Sequence, residues 1–465
     1  MVATNDAMEM RGTRIDEAAV TQLRTVFGGE VIRSADAGYD LARQVWNGNV
    51  DRRPAIIARC HGVADVQQAL GFAIDHELLV SVRGGGHSAP GYGTNDGGLV
   101  IDLTPLKGIR VDPVTRTARA QGGVLWRELD RETQAFGLAT TGGTVSNTGV
   151  AGLTLGGGLG WLMGKHGLTV DNLLGADIIT ADGTFQTVNA EQNADLFWAL
   201  RGGGGNFGVV VSFEYALHPV DTVLGGLVVY GLDQAPAVMR FYRDFCSTLP
   251  DDAEAYLGVL TDPTAGVPVV AMVLGYNGDL QEGERVLAPA RSFGRPLVDL
   301  VGPVPYVARQ TMLDEPNAVN GLHRYWRSAF TDAITDDLID AVVEQASQFS
   351  SPMSALLFFY LHGAAARVPA AATAFSARRP LWDFDAIGQW AEVGESDRHT
   401  SWVRAAWSSF EPHLDGSGYI NHISDDDKPE KVRASYGSNL DRLRALKLRH
   451  DPANVFRMNP NITPG

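Results

Sequence analysis

The stretch "VRGGGHSAPGYGTNDGGLVIDL", Val82 to Leu103, strips the side chains from three consecutive positions and then sets an imidazole, His87, at the edge of the gap. Glycine permits positive φ and lets backbone N–H groups approach an anion closely, so a run like this suits a concave phosphate-binding loop. For one isolated run, tight turns are an equally good account. Two further clusters, "TGGTVSNTGVAGLTLGGGLGWL" from Thr141 and "RGGGGNFG" from Arg201, favour a cradle over turns. None carries the GxxxxGK[ST] of a P-loop. "GLTLGGGLG" also lacks the GxGxxG order and the later acidic residue of a nicotinamide-binding fold, so both nucleotide classes are disfavoured.

Around the first loop the chain reads strand, helix, strand: "PAIIARC", "VADVQQALGFAIDHE", then "LLVSVRGG". "GLVIDL", "LLGADIITADG" and "VVVSFEYAL" continue as strands, and "NADLFWALRGGG" as a short helix stopped by glycine. Near His218 and Pro219 the glycine density falls. Beyond that boundary "LGGLVVYGL", "AYLGVLTD", "VPVVAMVLGYN" and "SALLFFYLHGA" read as strands, with "DDLIDAVVEQASQF" and "FDAIGQWAEV" as helices. That pattern fits an antiparallel sheet backed by helices. The last segment starts as a strand at "GYINHI", passes an acidic loop and ends in a helix at "NLDRLRALKLRHD".

A chain of 465 residues exceeds what one hydrophobic core usually fills, so two lobes are expected. Its formal charge of -16 argues against nucleic acid or an anionic membrane surface as a partner. Only Cys60 and Cys246 occur, without metal-site spacing, so neither a disulfide framework nor a metal site is expected. The acidic N-terminus does not resemble a secretory signal, no stretch approaches a membrane span, and a cytoplasmic protein is expected.

The motifs "RGGGHSAPGYGTNDGGLVIDL", "GVAGLTLGGGLGWL", "DLFWALRGGGGNFGVV" and "YINH…YGSNLDRLRALKLRHDPANVF" together resemble the FAD-linked oxidases of the vanillyl-alcohol oxidase superfamily, in its berberine-bridge-enzyme-like group. The resemblance implies an α+β, two-lobed FAD-binding fold with an antiparallel sheet in the substrate lobe. It places an FAD-binding part at 1–217, a substrate-binding domain at 218–411, and a segment at 412–465 that returns to the FAD lobe. It also implies that Arg83, Gly84, Gly85, Gly86, His87, Ser88, Gly143, Thr144, Thr148, Gly149, Gly152, Gly157 and Asn421 hold FAD. His87 would bond the flavin 8α carbon, which draws electrons from the ring system and makes it easier to reduce. Where many relatives attach the flavin a second time through cysteine, "GTVSNTG" offers Val145, so a single covalent link is expected. Thr148 stands at the position that gates oxygen in the family, and its size favours an oxidase.

The resemblance places Tyr419 of the Y-x-N motif against flavin and substrate as the candidate base, although a phenol of reference pKa ~10 is a weak one. Read as a strand, this segment turns His422 away from the Tyr419 face. In "SALLFFYLHGA" the same alternation puts Tyr360 and His362 on the face left free for the flavin, while Leu357, Phe359 and Leu361 pack against helices. "AAATAF" lacks the carboxylate of the plant alkaloid enzymes at the matching place. The expected protein is a monomeric or homodimeric enzyme that oxidises a C–O bond of a small cyclic substrate and passes the electrons to dioxygen. Oxidation of a C–N bond, a dehydrogenase with another acceptor, and a binding protein that merely retains FAD are the rivals. Acid precipitation tests the cofactor reading: yellow colour stays in the pellet of the native protein and is lost from that of His87→Ala.

Overall fold

The computed structural model describes residues 15–465; the first 14 residues, which carry the signal-peptide reading, lie outside the described part. Three large sheets and one two-stranded pairing, Leu138–Ala139 with His218–Pro219, build it. The first runs Glu30–Ile32, Ile56–Arg59, Leu99–Asp102, Val80–Arg83, with its last three strands parallel. The helix Val63–Asp75 makes the crossover and buries Val66, Ala69, Leu70 and Ala73, one stripe at helical spacing, against Ile56, Ala58 and Ile101. These parallel strands are apolar on both faces because both are covered.

The second sheet is antiparallel, ordered Ile109–Asp112, Thr117–Gln121, Val209–Ala216, Leu173–Ile179, Phe185–Asn189. The C-terminal helix Leu440–His450 packs Leu443 and Leu446 into the core on this sheet, so the end of the chain returns to the first lobe. It is pinned by Lys447, fully buried, whose Nζ donates to the Asn206 carbonyl at 2.7 Å, to Asp451 at 2.6 Å and to the Phe456 carbonyl at 2.9 Å. All three ammonium protons are thereby paired, which a buried charge requires.

The third sheet forms the second lobe, in the order Val298–Asp299, Thr222–Gly231, Pro268–Tyr276, Ala253–Thr261, Ala355–Leu361, Leu381–Trp390, His323–Thr331. The helices Ala235–Cys246, Asp336–Ala346 and Ser396–Phe410 cover its outer face, meeting Phe358, Tyr360 and Phe384. Its inner face, with Tyr256, Phe359, Leu361 and Phe330, packs on Trp161, Leu162 and Tyr419.

Three sequence expectations change here. "FDAIGQWAEV" is not a helix: Leu381–Trp390 is a strand buried at every position between two neighbours, with Trp382, Phe384 and Ala386 on one face and Asp383 and Asp385 on the other. Its two carboxylates disguised the period-2 pattern, because buried acids are rare. Ile420–His422 is one turn of 3₁₀-helix instead of a strand. In Ala355–Leu361 the helix-facing and flavin-facing sets are exchanged, since Tyr360 joins the helix-covered core and Phe359 the inter-lobe core. Lys447→Met leaves Asp451 buried without its cation and is expected to cost about 3–5 kcal/mol, read as a lower urea midpoint.

Candidate active site

The loop that leaves Val80–Arg83 meets the loop that enters the helix Val150–Gly156 back to back. A Cβ on Gly85 would stand 2.5 Å from the Gly149 nitrogen, and one on Gly149 would stand 2.5 Å from the Gly85 nitrogen. Only two glycines allow that approach. Gly86 follows with φ +67°, in the left-handed region. Among the described residues no protein acceptor meets the backbone N–H groups of Gly84, Gly85, Gly86, His87 or Ser88. Five free donors in succession beside a cleft form an anion cradle, and the pyrophosphate of FAD is the group they fit. Arg83 itself turns back to pair with buried Asp102 at 2.7 Å while lining the cleft.

The cleft is lined by the 83–88 loop, Tyr92, Thr144, Val145, Thr148, Gly149, Gly152, Gly204, Gly205, Trp326, Phe359, Tyr419, Asn421, His422 and Asn459. No cysteine lines it: Cys60 and Cys246 are packed in hydrophobic cores. His87 Nε2 lies 3.0 Å from Asn147 Oδ1. Burial first, and the charge of Arg324 second, push its pKa down to about 3, so the ring is neutral.

Bordering the same cleft stands a charge cluster that sequence reasoning passed over. His422 Nδ1 is 3.0 Å from Asp383 Oδ2 and 3.2 Å from Asp385 Oδ1, both carboxylates being fully buried. Ser328 Oγ donates to Asp383 at 2.9 Å and Trp326 Nε1 to Asp385 at 2.9 Å. Burial alone would lower the His422 pKa, but the two carboxylates outweigh it and push it up to about 10. Burial and the neighbouring Asp385 charge raise that of Asp383. His422 Nε2 makes no hydrogen bond among the described residues, and its ring borders the cleft. The 3₁₀ turn, at three residues per turn, brings Tyr419 and His422 to one side, with ring centroids 4.8 Å apart.

Several expected site residues take other places. The Tyr419 hydroxyl borders the cleft but accepts from Gly158 N–H at 2.8 Å and from Asn421 Nδ2 at 2.7 Å, and burial pushes its pKa up, away from that of a base. Tyr360 stacks on His362, with centroids 5.0 Å apart, and meets Trp382 at a tilt under the outer helices. His362 is buried 3.7 Å from Glu254 at the lobe junction. Neither lines the cleft, because the strand presents Phe359 there instead. Gly143 and Gly157 also lie outside it: a side chain on Gly143 would strike Leu153, and Gly157 ends a helix at φ +128° against Phe375. The sequence did carry a signal for Asp383 and Asp385, the W-D-F-D alternation, which is legible only once the segment is a strand.

Comparison with known proteins agrees with this geometry. An FAD binding domain model matches residues 54–189 and a berberine and berberine-like model residues 418–463. The chain is 32% identical over 460 residues to (R)-6-hydroxynicotine oxidase of Paenarthrobacter nicotinovorans, covering 94% of this chain and 97% of that one. It is 30% identical over 422 residues to an FAD-linked oxidoreductase of Dictyostelium discoideum, covering 90% and 91%. The crystal structure of 6-hydroxy-D-nicotine oxidase from Arthrobacter nicotinovorans superposes with a TM-score of 0.86 at 30% identity, covering 94% and 98%. A glucooligosaccharide oxidase of Acremonium strictum, whose structure is described as revealing a novel flavinylation, gives 0.85 at 25%, covering 96% and 98%. Gly85→Ala forces the two loops apart, so the variant is expected to purify folded but nearly colourless, with less than about a tenth of the native flavin absorbance.

Proposed function

The chain belongs to the berberine-bridge-like family of FAD-linked oxidoreductases, and from that premise we propose that it is an oxidase that takes a hydride from a C–O bond of a small cyclic substrate and delivers the electrons to dioxygen, giving peroxide. One observation carries the choice of a hydroxyl-bearing substrate. His422 borders the cleft that holds His87 and is backed by two buried carboxylates, so once it has lost its own proton it is a strong base beside the place where an O–H group must be deprotonated. The hydroxynicotine and oligosaccharide oxidases among the relatives support an oxidase on small ring-containing molecules.

When bound, FAD supplies the hydride acceptor at N5 and the route to oxygen. The residues do the rest. The N–H groups of 84–88 bind the pyrophosphate, and His87 is the proposed covalent anchor, with Val145 in place of a second one. Trp326 and Phe359 border the cleft with apolar surface that excludes water and stacks on a ring. Neutral His422 accepts the hydroxyl proton at Nε2, and the imidazolium so formed is stabilised by Asp383 and Asp385 through Nδ1–H. Tyr419 holds the Gly158 N–H and Asn421 in place and transfers no proton. Amine oxidation needs no such base, since an amine is reactive once neutral.

The pH dependence follows. His422 must be unprotonated to act, and its pKa stands near 10, so the anaerobic rate of flavin reduction by substrate rises with pH up to about 10. Removing one counter-charge in Asp385→Asn shifts this limb to lower pH. A screen of cyclic alcohols, oligosaccharides and hydroxylated heterocycles, reading peroxide against dye reduction, identifies the substrate. His422→Ala is expected to lose about 10²–10⁴ in that rate while staying yellow. A rate unaffected by His422→Ala, or by pH, overturns this assignment.

A further inference from the structure

His87 is gripped on its face and on its edge, and both grips are anchored in the second lobe. The indole of Trp46 stacks on the imidazole with centroids 4.1 Å apart and planes 20° from parallel. Trp46 is fixed in turn: its Nε1 donates to the Asn317 carbonyl at 2.7 Å, and the buried Arg324 guanidinium lies 3.7 Å over its ring and donates to its carbonyl at 2.8 Å. On the edge, Asn147 Nδ2 donates to the Ala318 carbonyl at 2.7 Å. Its neighbour Ser146 donates from N and Oγ to Asp314 at 2.8 and 2.6 Å.

A carboxamide whose NH₂ is committed to a carbonyl can offer the imidazole only its oxygen. The proton of the neutral ring must then sit on Nε2, which leaves the lone pair on Nδ1. We propose that the segment from Asp314 to Arg324, acting through Asn147 and Trp46, sets the tautomer and orientation in which His87 Nδ1 bonds the flavin, so that covalent attachment waits on docking of the second lobe. Asn147 and Trp46 are positioning residues, and the inference rests on the FAD reading above. In the attachment step a C–N bond forms from the Nδ1 lone pair to the 8α carbon. One methyl C–H proton is released, the Nε2 proton follows once Nδ1 is alkylated because a charged ring is disfavoured by burial and by Arg324, and these two protons with the electron pair left on the isoalloxazine reduce dioxygen to hydrogen peroxide. Nε2–H stays on Asn147 up to the attack, so no change of tautomer precedes the bond.

The test uses protein purified with its FAD, and reads total bound flavin together with the acid-precipitable fraction over time. Asn147→Leu keeps the shape and loses the acceptor: it should bind FAD fully but attach it about tenfold more slowly, the worth of one hydrogen bond. Asn147→Asp, which restores an acceptor oxygen but cannot donate to the Ala318 carbonyl, should attach flavin faster than Asn147→Leu and more slowly than the native protein. If Asn147→Leu does not fold, Trp46→Leu against Trp46→Phe poses the same question through the stack, with only the phenylalanine attaching normally. Attachment at the native rate in the variant that lacks the acceptor or the stack overturns the proposal. A native protein whose flavin is wholly acid-released defeats the covalent reading itself, a separate outcome.

Discussion

Everything in the site depends on two backbones being allowed to touch. Gly85 and Gly149 lie so close that any side chain on either would fall inside the other's main chain. The approach brings the loop after the parallel strand Val80–Arg83 against the start of the helix Val150–Gly156, and five backbone donors in succession border the cleft without an acceptor among the described residues. Unpaired backbone donors are costly in a protein interior, so this arrangement is stable only with an anion present or with water in its place. The fold thus holds a binding site as a deficit that its cofactor fills.

The second lobe supplies the opposite kind of group. Asp383 and Asp385 are buried side by side on one strand face, an arrangement that would be strongly unfavourable alone. Ser328, Trp326 and His422 offset it with two hydrogen bonds and a cation. Because the sheet belongs to one lobe and the turn at Ile420–His422 reaches the other, the charge balance is complete only when the lobes are closed on each other. The same closure delivers Phe359 and Trp326 to the cleft and, from the edge of the sheet, the segment that grips His87. The proposed anchoring of the cofactor and the proposed proton transfer therefore draw on one inter-lobe interface.

Much of the frame was legible in the chain. The short apolar runs of "PAIIARC" and "LLVSVRGG" and the helical stripe of "VADVQQALGFAIDHE" are local patterns, which tertiary packing had no reason to override. The strand Leu381–Trp390 was not legible, because the face that carries its polar residues is buried like the apolar one and the usual equation of polar with exposed fails there. Tyr360 and His362 were misassigned for a related reason. Alternation says which residues share a face, but it cannot say which face meets the helices, and both faces of this strand are apolar enough to pack.

The sequence by itself determined the glycine loops, the place of His87 at their edge, the lack of a cysteine where a second link would form, and a family resemblance strong enough to imply FAD. These follow from residue identity at short spacing. Only the tertiary structure decided that His422 borders the cleft while the Tyr419 hydroxyl is held by two N–H donors, since one turn of 3₁₀-helix in place of a strand changes the side on which a residue three positions on will lie. Only it joined His422 to two aspartates more than thirty residues away, and a carboxamide to the histidine it orients. Charges and hydrogen bonds act through distance in space, which the order of residues along the chain does not encode.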